Sequence, residues 1–240
     1  MIKFPYMLAL GMAVLLSCTL GFAKTLTVPG DAATIQGGID LSDDGDTVMV
    51  LPGVYMENIY LENKLVSVIS TAGPGVTKIQ PENMDSPIIS VYSWKGAHES
   101  GRNTIIPEIS GFTITGGGDS PTIYIYDAPQ LIISDNIIHD NIPIKITDKA
   151  VILCQGELAA PRITGNIFYG NYGVTCIQVL AGAASIINNT FDGNSSAFIS
   201  SSGTAEALNN IVVNSLGIAV DGTYLRLDYN DVWNNFDDYG

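Results

Sequence analysis

Residues 132–141 read IISDNIIHDN, 162–171 RITGNIFYGN, 185–194 SIINNTFDGN, 206–215 EALNNIVVNS and 225–235 LRLDYNDVWNN. Written in register, these segments align Asn136, Asn166, Asn189, Asn210 and Asn230, spaced by 30, 23, 21 and 20 residues. A second asparagine follows five positions later at Asn141, Asn171, Asn194 and Asn235. Upstream, PEISGFTITGG at 107–117 fits the same frame, with Gly111 assigned to the asparagine slot. A period of about twenty residues built from short β-type runs marks a solenoid, in which each repeat buries its core only by stacking on its neighbour.

The residue types suit such a stack. Each rung bends sharply several times while its strands stay in register with the rung below, about 4.8 Å away. Asn and Gly enter left-handed backbone conformations at little cost. Inward Asn side chains can also hydrogen-bond from rung to rung where water is absent. The five aligned asparagines are therefore read as a structural ladder. Between them the strands alternate: Ile123 and Ile125, Ile144 and Ile146, Val174 and Cys176, and Ile218 and Val220 are assigned inward, whereas Tyr124, Tyr126, Lys145 and Thr175 point outward.

The N-terminal stretch TLTVPGDAATIQGGIDLSDDGDTVMVLPGVYMENIYLENKLVSVIST begins at Thr25. Ala33 to Leu41, with Ile35 and Ile39 four apart, predicts a short amphipathic helix that plugs the bottom of the stack. An uncapped solenoid end exposes apolar core and unpaired strand edges. This stretch resembles the opening of many pectin-lyase-like proteins. It is similar in particular to pectin methylesterases, through the helix at Thr34-Ile35-Gln36 and the strand Pro52-Gly53-Val54-Tyr55-Met56-Glu57-Asn58. The resemblance implies an all-β, right-handed parallel β-helix with a short N-terminal capping helix. The chain then divides into an export signal at 1–23, a cap at 24–45 and repeats from 46 to 240. The last rung has no evident cap in the sequence, which predicts a C-terminal contact with a further segment or another copy.

Lys3, the apolar run Met7 to Leu16 and the small residues of Gly21-Phe22-Ala23 frame a secretory signal cut before Lys24. Leu15-Leu16-Ser17-Cys18 also resembles a bacterial lipobox, so lipidation at Cys18 stays open beside a secreted, periplasmic or surface location. No later run approaches the ~20 apolar residues of a membrane span. Of 240 residues, 46% are apolar and 14% charged, too hydrophobic for disorder. Loss of Lys3 leaves nine Lys and Arg against 24 Asp and Glu, a formal charge of −15. Such a surface disfavours nucleic acid and anionic lipid, and also polyuronates unless Ca²⁺ or a basic patch intervenes. Cys154 and Cys176, about one rung apart, are read as buried thiols on neighbouring layers.

Chemistry is less legible. The arginine-containing R-x-P-x-x-R stretch of pectate lyases has no counterpart, and the N-T-D, D-D, G-H-G and R-I-K segments of polygalacturonases are absent as a set. The Q-D-T segment and D-F-x-F-G-N strand of pectin methylesterases are missing too. Their nearest match, GNIFYGN at 165–171, lacks the aspartate. His139 shares a repeat slot with Tyr169 and Asp192 and is read as structural.

One region breaks the pattern: Trp94, Lys95, His98, Glu99 and Arg102 concentrate an aromatic ring and both signs of charge in nine residues. Long loops on rigid frames tend to carry function. With Tyr124, Tyr126, Asp127 and Lys145 they outline a candidate polysaccharide groove, and Asp127 and Asp148 are a candidate carboxylate pair. No cofactor is evident, and Ca²⁺ stays open. Two functions follow: an exported, non-catalytic glycan binder or surface scaffold, and a polysaccharide lyase, hydrolase or esterase with an unfamiliar site.

Overall fold

The computed structural model describes residues 23–93, 105–128, 130–143, 150–200, 202–222 and 224–240. The segment read as an export signal, apart from Ala23, lies outside them. Among the described residues there are 25 strands and one helix, and no helix is long and apolar enough to cross a membrane. After β1 (Thr25–Val28) the strands come in threes, from β2 (Thr47–Val50), β3 (Gly53–Met56) and β4 (Ile59–Glu62) to β23 (Leu225–Asp228), β24 (Asp231–Trp233) and β25 (Asp237–Tyr239). Each member of a trio joins a different sheet, and the strands pair in parallel with those one rung away. The result is a three-sided parallel β-helix of eight rungs.

The asparagine ladder holds the corner between the first and second sheets. Asn166 Oδ1 accepts from the backbone N–H and the side-chain amide of Asn136, both at 3.1 Å. Asn166 Nδ2 in turn donates to Ile133 O at 2.9 Å and to Asn189 Oδ1 at 3.0 Å. The same exchange repeats through Asn210 to Asn230. A second ladder, Asn141–Asn171–Asn194, runs along the next corner and is interrupted at Ser215. Except for the partly buried Asn230 these amides are buried, and each accepts from a backbone N–H at the corner of a neighbouring rung.

The rung at 108–115 corrects the sequence frame. Ile109 and Ser110 pair with Ile133 and Ser134, so Phe112, not Gly111, stands in the asparagine slot. The Phe112 N–H donates to Asn136 Oδ1 at 3.0 Å and its ring is fully buried, so the ladder ends there. Gly111, at φ 80°, belongs instead to the adjoining left-handed column of Asp135, Gly165, Asn188, Asn209 and Tyr229.

The inward columns also differ in part from expectation. Ile123 and Ile125 stack on Ile152 and Cys154, so these two occupy the positions assigned to Ile144 and Ile146, which lie outside the described residues. Ile218 is 40% exposed, because Ala219 and Val220 are the buried pair of that strand and Ile218 remains at the corner opposite Asp237. Val174 and Cys176 are buried as expected. The second sheet carries an aromatic column, with Phe168 and Phe191 stacked at 4.7 Å and 9°.

Helix α1 (Ile35–Leu41) begins two residues later than the apolar pattern suggests, because Thr34 is its N-cap and accepts from Gly37 N at 3.0 Å. Glu57 completes the cap by accepting from the N–H groups of Ile35 and Gln36, each at 2.9 Å. Gln36 exchanges two hydrogen bonds with the Tyr60 backbone, and the Tyr55 hydroxyl donates to Leu51 O at 2.8 Å. The N-terminal motif thus welds the helix to the first rung, with Ile35 and Ile39 buried beneath it. β1 is already part of the first sheet, so the stack starts within the segment assigned to the cap.

Asp46 is buried beside this end. Burial pulls its carboxyl pKa upward, but N–H groups of Lys24 and Asp43 at 2.7 and 2.8 Å, with the Lys24 ammonium, outweigh burial and hold it below the ordinary value. Cys154 and Cys176 are free and fully buried. They sit on neighbouring rungs but out of register, Cys154 opposite Val179 and Cys176 next to Ile177, which faces Ile152.

Four outcomes are expected for a chain starting at Lys24. Asn166→Ala leaves the Asn136 N–H without its acceptor, removes a side-chain donor from the Ile133 carbonyl, and lowers urea-measured stability by about 3 kcal/mol. Asn188→Gly, at an outward left-handed position, changes it by less than about 0.5 kcal/mol. Burial pushes the Cys154 thiol up to about 12 and raises that of Cys176 as well, so neither thiol reacts with a chromogenic disulfide until the protein is unfolded. The stabilising contribution of Asp46, with its lowered pKa, is complete above the ordinary aspartate range and disappears as pH falls through the folded value. Acid titration of Asp46→Asn should lack that part of the loss.

Candidate functional site

Three adjacent strands of the third sheet, β7 (Ile89–Tyr92), β10 (Ile123–Tyr126) and β13 (Ala150–Gln155), build an outer surface on which three tyrosine rings meet. Alternation buries Ile89, Val91, Ile123, Ile125, Ile152 and Cys154 in the core, and the residues between them face outward. Parallel pairing sets Tyr92 opposite Tyr126, and Tyr126 opposite Gln155. The Tyr92 and Tyr124 rings meet edge to face at 5.5 Å. Tyr126 lies 6.5 Å from Tyr92 and 6.3 Å from Tyr124. Such separations are those of mutually supporting aromatic pairs.

Polar groups fix the cluster. The Tyr124 hydroxyl donates to Gln155 Oε1 at 3.0 Å. Burial, and then the neighbouring phenols of Tyr92 and Tyr126 and the carboxylate of Asp127, raise the Tyr124 pKa, so the ring is a neutral hydrogen-bonding group. Asp127 turns the chain at φ 51°, donates its N–H to Gln155 O at 3.0 Å and accepts from Leu158 N at 3.1 Å. Glycine follows necessarily at 156: a Cβ there would stand 2.2 Å from Asp127 Oδ1. The corner encloses an open depression of about 640 Å³ lined by Tyr126, Asp127, Gln155, Glu157, Leu158 and Ala181. Beneath the tyrosines, Ser90 is fully buried and its hydroxyl has no partner among the described residues, as is true of the Ser93 hydroxyl.

The candidate residues divide accordingly. Tyr124, Tyr126 and Asp127 come together on this face, whereas Trp94, Lys95, His98, Glu99, Arg102 and Lys145, with Asp148, lie outside the described residues. Tyr92, Gln155 and Glu157 were missed. The parallel strings ISVY and IYIY, each ending in an outward tyrosine, were the available signal. The carboxylate that shares the depression with Asp127 is Glu157. His139 lies on another sheet, stacked on Tyr169 at 4.6 Å and 4° with Nδ1 at 2.8 Å from Asp140. Among the described residues no group of three or more His, Cys, Asp and Glu side chains converges into a metal-ligating cluster.

No curated protein matches the chain. A family model described as "Right handed beta helix region" matches residues 98–240. That match spans more than half of the chain and falls on the Asn-laddered rungs; it agrees with the pectin-lyase-like resemblance of the N-terminal end. With three parallel sheets stacked rung upon rung, the chain belongs to the right-handed β-helix family.

Proposed function

We propose that the protein is an exported, non-catalytic β-helix that binds neutral polysaccharide on the outer face of its third sheet. The observation supporting this reading is the tyrosine cluster on a rigid frame, opening onto the depression beside Asp127, Gln155 and Glu157. Sugar rings present apolar C–H faces and a rim of hydroxyls. Aromatic faces suit the first, and carboxylate and amide groups suit the second. Among the described residues the depression carries two carboxylates and no Lys or Arg, and the processed chain has a formal charge of −15, which favours neutral over uronate polymers. A second reading, polysaccharide cleavage, draws on the same two carboxylates, since acid–base hydrolysis uses such a pair flanking the scissile bond.

The test is calorimetry of the Lys24–Gly240 chain with cellohexaose, xylohexaose, mannohexaose and an oligogalacturonate of equal length, followed by a reducing-end assay. Binding of at least one neutral hexaose is expected, weakened about tenfold by Tyr126→Ala at unchanged melting temperature, with no new reducing ends. Folded protein that binds none of them, or binds equally well as the Tyr124→Ala, Tyr126→Ala double variant, overturns the proposal. New reducing ends that disappear in Glu157→Gln would transfer support to the cleavage reading.

A further inference from the structure

Among the described residues Asp46 alone is a charged residue buried in the fold, with 3% of its side chain exposed. It stands where successive passes of the chain meet. The Lys24 carbonyl, just before β1, accepts from Thr47 N at 2.9 Å, and the Asp46 carbonyl accepts from Ser67 N at 3.1 Å. Gly45 N donates to Leu65 O at 2.8 Å, and Asp44 Oδ1 accepts from Leu65 N at 3.1 Å. On the side of α1, the Lys64 ammonium donates to the carbonyls of Ile39, Asp40 and Ser42 at 2.7, 2.9 and 3.0 Å.

A buried carboxylate is costly unless it is paired and hydrogen-bonded. Asp46 Oδ1 accepts from Lys24 N at 2.7 Å, and Oδ2 accepts from Asp43 N at 2.8 Å. The Lys24 side-chain ammonium is more distant, at 3.6 Å, is 56% exposed, and is shared with Asp43 at 3.2 Å. The closest donor to this buried charge is therefore the backbone nitrogen of Lys24, the residue before which the sequence places the signal cut. Ala23 and Lys24 are exposed and irregular, and Thr25 is the first residue of β1. A cut between them takes nothing from the sheet.

We infer that Asp46 is the acceptor for the α-ammonium released by cutting the Ala23–Lys24 bond, so that processing completes the ion pair that closes the first rung. Hydrolysis by a signal peptidase consumes one water. Ala23 gains its oxygen and leaves as a carboxylate, while the Lys24 nitrogen gains both of its protons and becomes an ammonium. The atom that donates to Asp46 Oδ1 at 2.7 Å then carries a full charge. Charge-assisted hydrogen bonds are roughly twice as strong as neutral ones. An uncut chain keeps a neutral amide in the same place, and its Asp46 is held by amides and an exposed lysine. The end of the stack tightens when the signal is removed. The inference rests on the export part of the functional reading and is independent of glycan binding.

Two chains separate the claims, one beginning at Lys24 and one at Gly21, which keeps the peptide bond at Lys24. The Lys24 chain is expected to melt about 2–4 °C above the Gly21 chain. The difference should vanish when both carry Asp46→Asn. The Lys24–Asp43 pair is common to both chains and cancels, as do Asp44 and Lys64. A second readout needs no substitution: NMR titration of the Asp46 side-chain carboxyl carbon. Burial raises its midpoint and the N–H donors more than offset this; an ammonium in place of the amide should lower the midpoint further in the Lys24 chain. Equal melting with equal midpoints overturns the inference, as does a melting difference that survives Asp46→Asn. N-terminal sequencing after expression in an exporting host is expected to return Lys24-Thr25-Leu26-Thr27. Any other start, Cys18 included, overturns the role of processing. A start at Lys24 without a difference between the two chains leaves export standing and removes the ion pair alone.

Discussion

The structure depends on one requirement: each rung must satisfy its buried corner while lying about 4.8 Å from the next. At a corner the backbone leaves the sheet and loses ladder partners, yet it stays inside, away from water. The inward asparagines answer this, since one amide accepts from a corner N–H and donates to a carbonyl of the rung on one side, and donates to the next amide on the other. A leucine of similar size would fill the space and leave the corner N–H of the neighbouring rung unpaired, a cost of ~1–3 kcal/mol at each rung. Phe112 shows how the ladder can end: its ring joins the core, and its N–H still reaches the last amide.

Stacking of this kind divides the chain by parity. Inward positions belong to the core columns of Ile, Val and Phe, and their identity is dictated by the rungs above and below. Outward positions are released from that demand and can line up across rungs without disturbing the fold. The three tyrosines of the third sheet and the polar groups around them occupy such positions, so a recognition surface can be written on the prism by every second residue. The glycines of the adjacent corner serve packing, since they allow close approach between rungs.

The N-terminal motif has a mechanical explanation. Thr34, Gln36, Tyr55 and Glu57 each tie helix α1 or the first strands to one another. A resemblance that rests on these residues carries architecture: helix N–H groups need acceptors, and an open stack needs a lid. This is why a methylesterase-like beginning is compatible with the absence of methylesterase catalytic segments.

The repeat period, the asparagine ladder, the capping helix and the outward direction of Tyr124 and Tyr126 were legible in the amino-acid string, because each arises from a local rule repeated at every turn. The partners of those residues were not. Tyr92 meets Tyr126 across 34 positions of sequence, and Gln155 and Glu157 arrive from the following rung after a segment with no repeat signature. The same uncertainty put Gly111 one place out of register and assigned Ile144 and Ile146 the positions that Ile152 and Cys154 fill. Corner lengths vary from rung to rung, and periodicity does not reveal where an insertion is absorbed. Strand composition by itself therefore determined that the chain would stack and which way its side chains would face. Only the tertiary structure decided which outward residues became neighbours, because that depends on register across the corners, where hydrogen bonding between rungs overrides distance along the chain.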